Sequence, residues 1–490
     1  MPPHATAWRE WKGGVLPVRK WIAILLTLLL CALPVSAKQV DYVITGDGIK
    51  LPITVSYRFQ DILSYVDNSE NPFFNNPNGL FVDDQDNIYV SDTGNNRVVK
   101  FNKDLEFVRE YTLADTDTPL KDPHGLYVDD RHSLYVADTG NNRVVHISED
   151  GRWIEDFTAP DSTLFDYESY GFSPTKVTID NFGYLCILNG NDYHGIIKLD
   201  AHNRFVGYYG TNKVTPTLSD YIIRYFGSEE QKEQYMKQQP PYITGMYVDD
   251  SGYTYTTNAL VDDQEIKKLD QSGSNTYAST GSFVESDRLG KGQLEDIHVS
   301  DDGIITVVDS AKRKIYQYDS LGNMLCAFGE EGDVEGTFGY PVAVSADSQG
   351  NLYVLDRDRG NVQIFQKTEF MQNVHDYLSL YKDGQYEECA QKIQAGLQTD
   401  STYLPAYQVR GKLLYKDEQY PESMEAYAAI HDMKGYSEAF DKQRQIYYRQ
   451  YFVPILIGIV LLAVGIVVLV SRTRRWARRK ILDGMVDRDA

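Results

Sequence analysis

Through most of the chain, apolar positions alternate with polar ones in short runs, each broken by Gly, Asn or Asp, as half-buried antiparallel strands require. The runs fall into six copies of one pattern. Anchored on Pro77, Pro123, Pro174, Ile243, Leu294 and Pro341, the copies are spaced by 46, 51, 69, 51 and 47 residues. Each copy opens with an apolar strand (Leu80–Val82, Leu126–Val128, Val177–Ile179, Met246–Val248, Ile297–Val299, Val342–Val344) and turns at Gly, Asn or Asp. A β-branched or aromatic strand follows, such as Ile88–Val90 or Leu352–Leu355, then a polar loop and a third strand, such as Val98–Phe101 or Val362–Phe365. Fourth strands are legible at Phe107–Tyr111, Trp153–Phe157, Phe205–Tyr209 and Met324–Phe328. The sixth copy has none, while an unpaired strand, Ile53–Phe59, precedes the first copy. That arithmetic predicts a mainly β fold, a six-bladed propeller over 38–368 whose last blade is completed by the chain's early strand, which removes exposed sheet edges.

The period changes outside that region. From 369 to 450 it becomes helical, and Tyr381, Asp383 and Tyr386 recur as Tyr415, Asp417 and Tyr420, thirty-four residues later. Ala406, Gly411 and Ala426 stand where helices pack closely. Within the propeller, Tyr221, Ile222, Tyr225 and Phe226 have helical spacing and predict an insertion at about 214–240. The N-terminus carries Arg9, Lys12, Arg19 and Lys20, then the apolar run Trp21–Leu33 and the small-residue site Val35-Ser36-Ala37, the three-part form of a secretory signal over 1–37. Phe452 to Val470 is an uncharged stretch of nineteen residues, followed by Arg472, Arg474, Arg475, Arg478, Arg479 and Lys480. It predicts a membrane-spanning helix over 451–471 with a basic cytoplasmic tail, 472–490, and the bulk of the chain outside.

Charge narrows the partners. Residues 1–37 contribute +3 and 471–490 contribute +4 to a total of −22, which leaves 38–470 at −29. Such a surface excludes nucleic acid as a partner and admits cations and basic proteins. Removal of the signal leaves Cys186, Cys326 and Cys389, an odd set with neither disulfide nor metal-type spacing.

The motif Pro-x-Gly-Leu-x-Val-Asp … Ile-Tyr-Val-x-Asp-Thr-Gly-Asn-Asn-Arg-Val, read from Pro77 and again from Pro123, resembles the NHL repeat, a propeller-forming unit. The thirty-four-residue helical period resembles the tetratricopeptide repeat, which implies a peptide-binding groove or, equally, a rigid stalk. Within the NHL-like copies, Asp92 and Asp138 stand five residues before Arg97 and Arg143. Asp309 with Lys314, and Asp356 with Asn361, occupy the same positions. Repetition at equivalent positions is what a structural loop clamp requires, and a ring of catalytic acids is the rival reading.

Enzymes of similar fold supply the chemical alternative. Gluconolactonase-like propellers hold a divalent metal near the axis through acidic and amide side chains, and a peptide-amidating lyase resembling NHL proteins places a histidine just after the anchor proline. Here that position holds Asn78, His124, Thr175, Thr244, Glu295 and Val342. Blades 2 and 5 lie opposite each other, so His124 and Glu295, joined by Asp296, His298 or Asn78, are the candidate ligands. Three ligands are needed for a catalytic metal with an open position. The resemblance admits a divalent cation as cofactor and requires none. The expectation is a single-pass, outward-facing recognition or scaffold protein, accessory to an envelope transport or sensing assembly, with protein partners at the propeller face and the helical repeats. A carbohydrate ligand is a further candidate, since strand tyrosines can line a sugar-binding face. The rival is a metal-dependent, gluconolactonase-like hydrolase or lyase at the propeller axis.

Overall fold

The computed structural model describes residues 40–45, 48–67, 69–162, 164–165, 171–190, 192–212, 241–258, 265–277, 286–287 and 290–486. The segments read as a signal sequence and as a helical insertion lie outside the described residues.

Six sheets form a ring, as the repeats predict. Blade 1 comprises Gly79–Val82, Ile88–Asp92, Arg97–Phe101 and Phe107–Tyr111, and blade 2 comprises Pro123–Val128, Leu134–Asp138, Arg143–Ile147 and Trp153–Thr158. Blade 3 runs from Pro174–Ile179 to Phe205–Tyr209, blade 4 has Ile243–Val248, Thr254–Asn258 and Ile266–Leu269, blade 5 runs from Leu294–Val299 to Met324–Phe328, and blade 6 begins with Pro341–Ala346. The first strand of each blade lies innermost and touches the first strands of its two neighbours, the sixth returning to the first. Apolar side chains interleave between blades; Leu80, Val90 and Val99 of blade 1 share a core with Val342, Leu355 and Val362 of blade 6.

Ring closure joins distant parts of the chain. Tyr57–Leu63 pairs antiparallel with Asn361–Lys367 in register Tyr57 to Lys367 and Leu63 to Val362, completing blade 6. This strand starts four residues later than the pattern Ile53–Phe59 indicates, because Ile53 to Ser56 are engaged elsewhere. Ile53 N donates to Asp41 O at 2.8 Å, and the Ser56 N–H and hydroxyl both donate to Asp41 Oδ2, at 2.6 and 2.5 Å. The preceding hairpin, Tyr42–Ile44 with Lys50–Pro52, adds to the outer edge of blade 5 by pairing with Met324–Phe328. The N-terminal segment therefore covers the edge of one blade and completes the next, leaving neither strand as an open template.

Five helices follow: α1 (Glu369–Lys382), α2 (Tyr386–Thr399), α3 (Leu404–Lys416), α4 (Tyr420–Ala429) and α5 (Met433–Val486). Thr368 caps α1 by accepting from Met371 N at 3.3 Å, the residue type and geometry expected of an N-cap. The helices do not stand apart from the ring. Phe370, Met371, Val374 and Tyr377 of α1 and Tyr403 and Ala406 near the start of α3 belong to one buried cluster with Tyr57, Leu325, Phe328 and Phe365 of blades 5 and 6. The Tyr403 hydroxyl donates to Leu325 O at 3.0 Å. Gly411 lets α3 and α4 approach closely, since a Cβ there would lie 2.9 Å from the Tyr427 ring. Every side chain from Phe452 to Val470 of α5 is exposed. An eighteen-residue stretch of α5 has a mean hydropathy of 3.2, and the helix is long and apolar enough to cross a membrane.

Candidate functional site

The propeller axis is not an open bore. The third residue of each innermost strand, counted from the anchor, is Gly79, Gly125, Lys176, Gly245, Asp296 and Ala343. A Cβ on Gly79 would lie 2.3 Å from His124 O, one on Gly125 2.7 Å from Thr175 O, and one on Gly245 2.9 Å from Asp296 Cα, so the strands meet backbone to backbone. Of the three positions without glycine, two carry charge. Lys176 Nζ lies 2.6 Å from Asp296 Oδ1, linking blade 3 to blade 5 across blade 4, while Asp296 Oδ2 accepts from Val344 N at 3.2 Å. Both carboxylate oxygens of Asp296 are thereby engaged, and the ion pair separates an upper mouth from a lower one.

The lower side is a cavity of about 1000 Å³, whose lining includes Lys176, Asp296 and His298 but not Asn78, His124 or Glu295. Its rim carries Asp84, Asp130, Asp250, Asp301 and Asp347 from five of the six blades. Each of these rim acids sits at the turn that follows an innermost strand. Helix α1 borders this mouth: Gln372 and His375 line the cavity, Ser379 Oγ donates to Asp302 Oδ1 at 2.9 Å, and Lys382 Nζ donates to Asp301 O at 3.0 Å. His298 packs against the Tyr247 ring, centroids 5.1 Å apart, and burial lowers its pKa to about 4. Three of the sequence candidates therefore divide between two compartments, with His298 below the plug and His124 and Glu295 above it.

At the upper mouth Glu295 is the most heavily solvated by protein. Its Oε1 accepts from Gln293 Nε2 at 2.7 Å, Ser310 Oγ at 3.0 Å and Tyr340 OH at 3.3 Å. Burial raises its pKa above the ordinary carboxylate value, against the pull of those bonds and of Lys176 and Arg357. Arg357 stacks on Tyr340, 4.3 Å from the ring centroid, and its Nη1 donates to Asn78 Oδ1 at 3.3 Å. His124 Nε2 is 3.6 Å from Asp122 Oδ2. Burial lowers the His124 pKa, Asp122 opposes that shift, and Lys176 and Arg357 add to it. Burial thus displaces the two groups in opposite directions, the imidazole down and the carboxyl up, while the same two cations, Lys176 and Arg357, act on both.

This geometry does not suit the axial metal that the fold resemblance implies. Asp296 is committed to Lys176, Glu295 to three donors, Asn78 to Arg357, and His298 lies in the other compartment. Among the described residues, the single group of three His, Cys, Asp or Glu ligand atoms within 4.8 Å of one another is Asp83, Asp84 and His132, at the lower rim.

The repeated acid–base pairs take two forms. In blade 1, Arg97 Nε meets Asp92 Oδ2 at 2.8 Å and Nη1 meets Glu110 at 2.9 Å. Blade 2 repeats the contacts with Arg143, Asp138 and Asp156 at 2.7 and 2.8 Å. Asp92 Oδ1 also accepts from Asn75 N at 2.7 Å, as Asp138 Oδ1 does from Lys121 N at 2.8 Å. These bonds tie each turn to the segment entering its blade. In blade 5 the pattern changes: Asp309 accepts from Gln293 N and Lys312 N, both at 2.9 Å, and Lys314 directs Nζ to the carbonyl of Gly329. In blade 6, Arg359 Nε approaches Asp356 Oδ2 at 3.8 Å, two positions before Asn361, where the first two copies carry arginine.

Sequence reasoning did not single out Arg357, Tyr340, Ser310 or Lys176. A signal existed in the departures from the repeat. Thr93 and Thr139, one residue after the clamp acid, each donate to the carbonyl of the next blade's anchor proline, at 2.7 and 2.6 Å. Blades 5 and 6 replace that threonine with Ser310 and Arg357, and both turn to the upper mouth.

Comparison with known proteins adds two partial family matches. The model of the SMP-30/gluconolactonase/LRE-like region matches residues 63–165, and that of the NHL repeat matches 338–365. Among solved structures, the chain is similar to virginiamycin B lyase of Staphylococcus aureus (12% identity over 66% of this chain and 87% of that one, TM-score 0.39). It is also similar to a gluconolactonase of Xanthomonas campestris (12% identity, 64% and 95%, TM-score 0.41). A Bacteroides thetaiotaomicron protein of unknown function is similar at 13% identity, 65% and 79% coverage and a TM-score of 0.43.

Proposed function

We propose that this chain is a membrane-tethered recognition protein in which propeller and helical repeats act as one rigid binding body on the outer side of the membrane. The observation that carries this reading is the continuous core joining α1 and α3 to blades 5 and 6, through Phe370, Tyr377 and Tyr403 against Tyr57, Leu325 and Phe328. A flexible tether needs no such core, whereas a body that presents two modules at a set angle does. The tetratricopeptide-like reading is supported by Tyr386 and Tyr420, thirty-four residues apart, each opening the second helix of a pair. The apolar run of α5 is the tether, and the arginine cluster after it favours a cytoplasmic C-terminus. A protein partner with a basic surface suits the acidic lower rim and the −29 charge of 38–470. The test is photo-cross-linking of the full-length protein in its native membrane, from exposed Gln398 on α2 and from exposed Asp130 on the rim. One stoichiometric protein captured from both positions is the expected result. A chain recovered alone from both would refute the reading.

A second reading, a hydrolase or lyase at the upper mouth, is favoured by the opposed displacement of Glu295 and His124 and by the gluconolactonase-type match over 63–165. There Glu295 would hold the transferable proton and Arg357 would bind the substrate's anionic or carbonyl oxygen. Turnover of lactone or ester substrates by the purified full chain, abolished in Glu295→Gln, would establish it. Absence of turnover across such a panel would remove it.

A further inference from the structure

We infer that Asp83, Asp84 and His132 form a site for one divalent transition-metal ion at the lower rim, joining blade 1 to blade 2. The inference starts from a repeated turn. After the first strand of each blade the chain reverses through a position held by Asp86, His132, Gly183, Gly252, Gly303 and Gly350. All six adopt left-handed backbone, with φ between 57 and 85°. Four copies use glycine, the residue that tolerates this region freely. Blade 2 instead carries an imidazole there, and projects it onto blade 1.

The position of that imidazole is informative. His132 Nδ1 is shielded from solvent and has no hydrogen-bond partner. It faces Asp83 Oδ2 and Asp84 Oδ1, each 3.8 Å away, too far for a hydrogen bond. The other ring nitrogen, Nε2, lies 2.8 Å from the Gln85 side-chain amide. The amide nitrogen is the atom nearest Nε2; a half-turn of the amide, which exchanges nitrogen for oxygen, lets Nε2–H donate to Gln85 and leaves the lone pair of Nδ1 facing the two carboxylates. A ligating histidine is held in this way by an outer hydrogen bond that sets its tautomer.

The carboxylates differ in readiness: an ion would take the place of the longer bond, from Tyr89 OH, on Asp83 Oδ2, while Asp84 can turn freely. Asp83 is locked by the turn: Oδ1 accepts from Gln85 N and Asn87 N at 3.0 and 2.8 Å, and Oδ2 from Asn87 Nδ2 and Tyr89 OH at 2.9 and 3.1 Å. Asp84 is mostly exposed, which leaves further coordination positions open to water or to a ligand entering the cavity. Tetrahedral zinc bonds of about 2.0–2.1 Å place ligand atoms about 3.3 Å apart. The two contacts of 3.8 Å therefore need to close by about half an ångström, the one to Asp84 by movement of that exposed side chain and the one to the fixed Asp83 by movement of the imidazole. One imidazole and two carboxylates suit Zn²⁺, Co²⁺ or Mn²⁺. The site is separate from the upper mouth, and does not depend on the function proposed above.

The experiment uses the full-length protein in detergent, stripped with chelator and titrated with Zn²⁺ against a chromophoric competitor. Co²⁺ absorption reports the ligand field in parallel. We expect one equivalent to bind the wild type, and at least about tenfold weaker binding in His132→Asn and in Asp84→Asn. Asparagine suits the left-handed backbone, and Asp84 is exposed, so the two variants perturb the fold by different routes. Binding of unchanged affinity in both variants would overturn the inference. So would a wild type that binds no ion, or a loss confined to Glu295→Gln, which would move the ion to the upper mouth.

Discussion

Replacing Arg97 by methionine tests whether the repeated acid–base pairs hold the ring together. The substitution keeps most of the side chain's length and removes the guanidinium. Asp92 and Arg97 are both buried, with side-chain exposures of 0 and 4%. Stripping one partner from a buried ion pair costs about 3–5 kcal/mol, because the remaining charge is left in a poorly polarisable site. Asp92 keeps its bonds from Asn75 N and Asn95 Nδ2, at 2.7 and 2.8 Å, which places the loss at the lower end, about 3 kcal/mol. Ser69 and the carbonyl of Asn71 also lose their donor, so the segment entering blade 1 loosens with it. Arg143→Met should cost a similar amount, since blade 2 repeats the geometry. Arg97→Lys should fall between, because an ammonium restores charge without the planar fork. The assay is urea unfolding of the full chain in detergent, followed by circular dichroism in the β-sheet region, with midpoint and slope compared. A loss below about 1 kcal/mol in both methionine variants would mean that the clamps are not what the structure indicates.

His375 should make the protein acid-sensitive. Burial lowers its pKa to about 3, and Lys367 adds to the effect. Its folded-state pKa thus lies below the unfolded value near 6.5, so the unfolded chain takes up the proton first and stability falls as pH drops from about 6.5 toward 3. Between pH 7 and pH 5 the loss is about 2 kcal/mol, and His375→Gln should remove that part of the slope in urea midpoints. Parallel curves for the two proteins would contradict it. Gly79→Ala should destabilise by about 1–3 kcal/mol, since the new methyl would lie 2.3 Å from His124 O, a strand backbone atom, and 2.8 Å from Ser91 Oγ; an unchanged thermal midpoint would refute the closed axis. Phe370→Ala should cost about 3–5 kcal/mol and expose the helices and blades 5 and 6 to protease together. Cleavage confined to the helices would show that the two modules unfold separately.

The Arg97 clamp and the six-bladed ring were legible because they repeat. A strand pattern copied six times leaves few architectures, and an acid five residues before an arginine, twice, points to a pair. The alternation at Phe107–Tyr111 predicts the fourth strand of blade 1, and the strand stands there. The closing strand was legible by counting, since a sixth copy lacking its outer strand needs one from elsewhere. Its start was not, because the Asp41 carboxylate that detains Ser56 belongs to a hairpin with no copy in the repeats.

What the sequence by itself determined was local and periodic: strand alternation, the thirty-four-residue helical period, the apolar run of α5 and the negative charge. What tertiary structure decided was which singular residues meet. Lys176 and Asp296 are 120 positions apart, and their contact closes the axis because the ring brings blades 3 and 5 within reach across a glycine. His132 and Asp83 meet because two equivalent turns lie side by side, and Glu295 gains Tyr340 because the first strands of blades 5 and 6 are neighbours in the ring. Periodicity reports the hydrogen-bonded neighbours of each strand, whereas a site on a propeller is built from residues in different copies. Their distances depend on the closure of the whole ring.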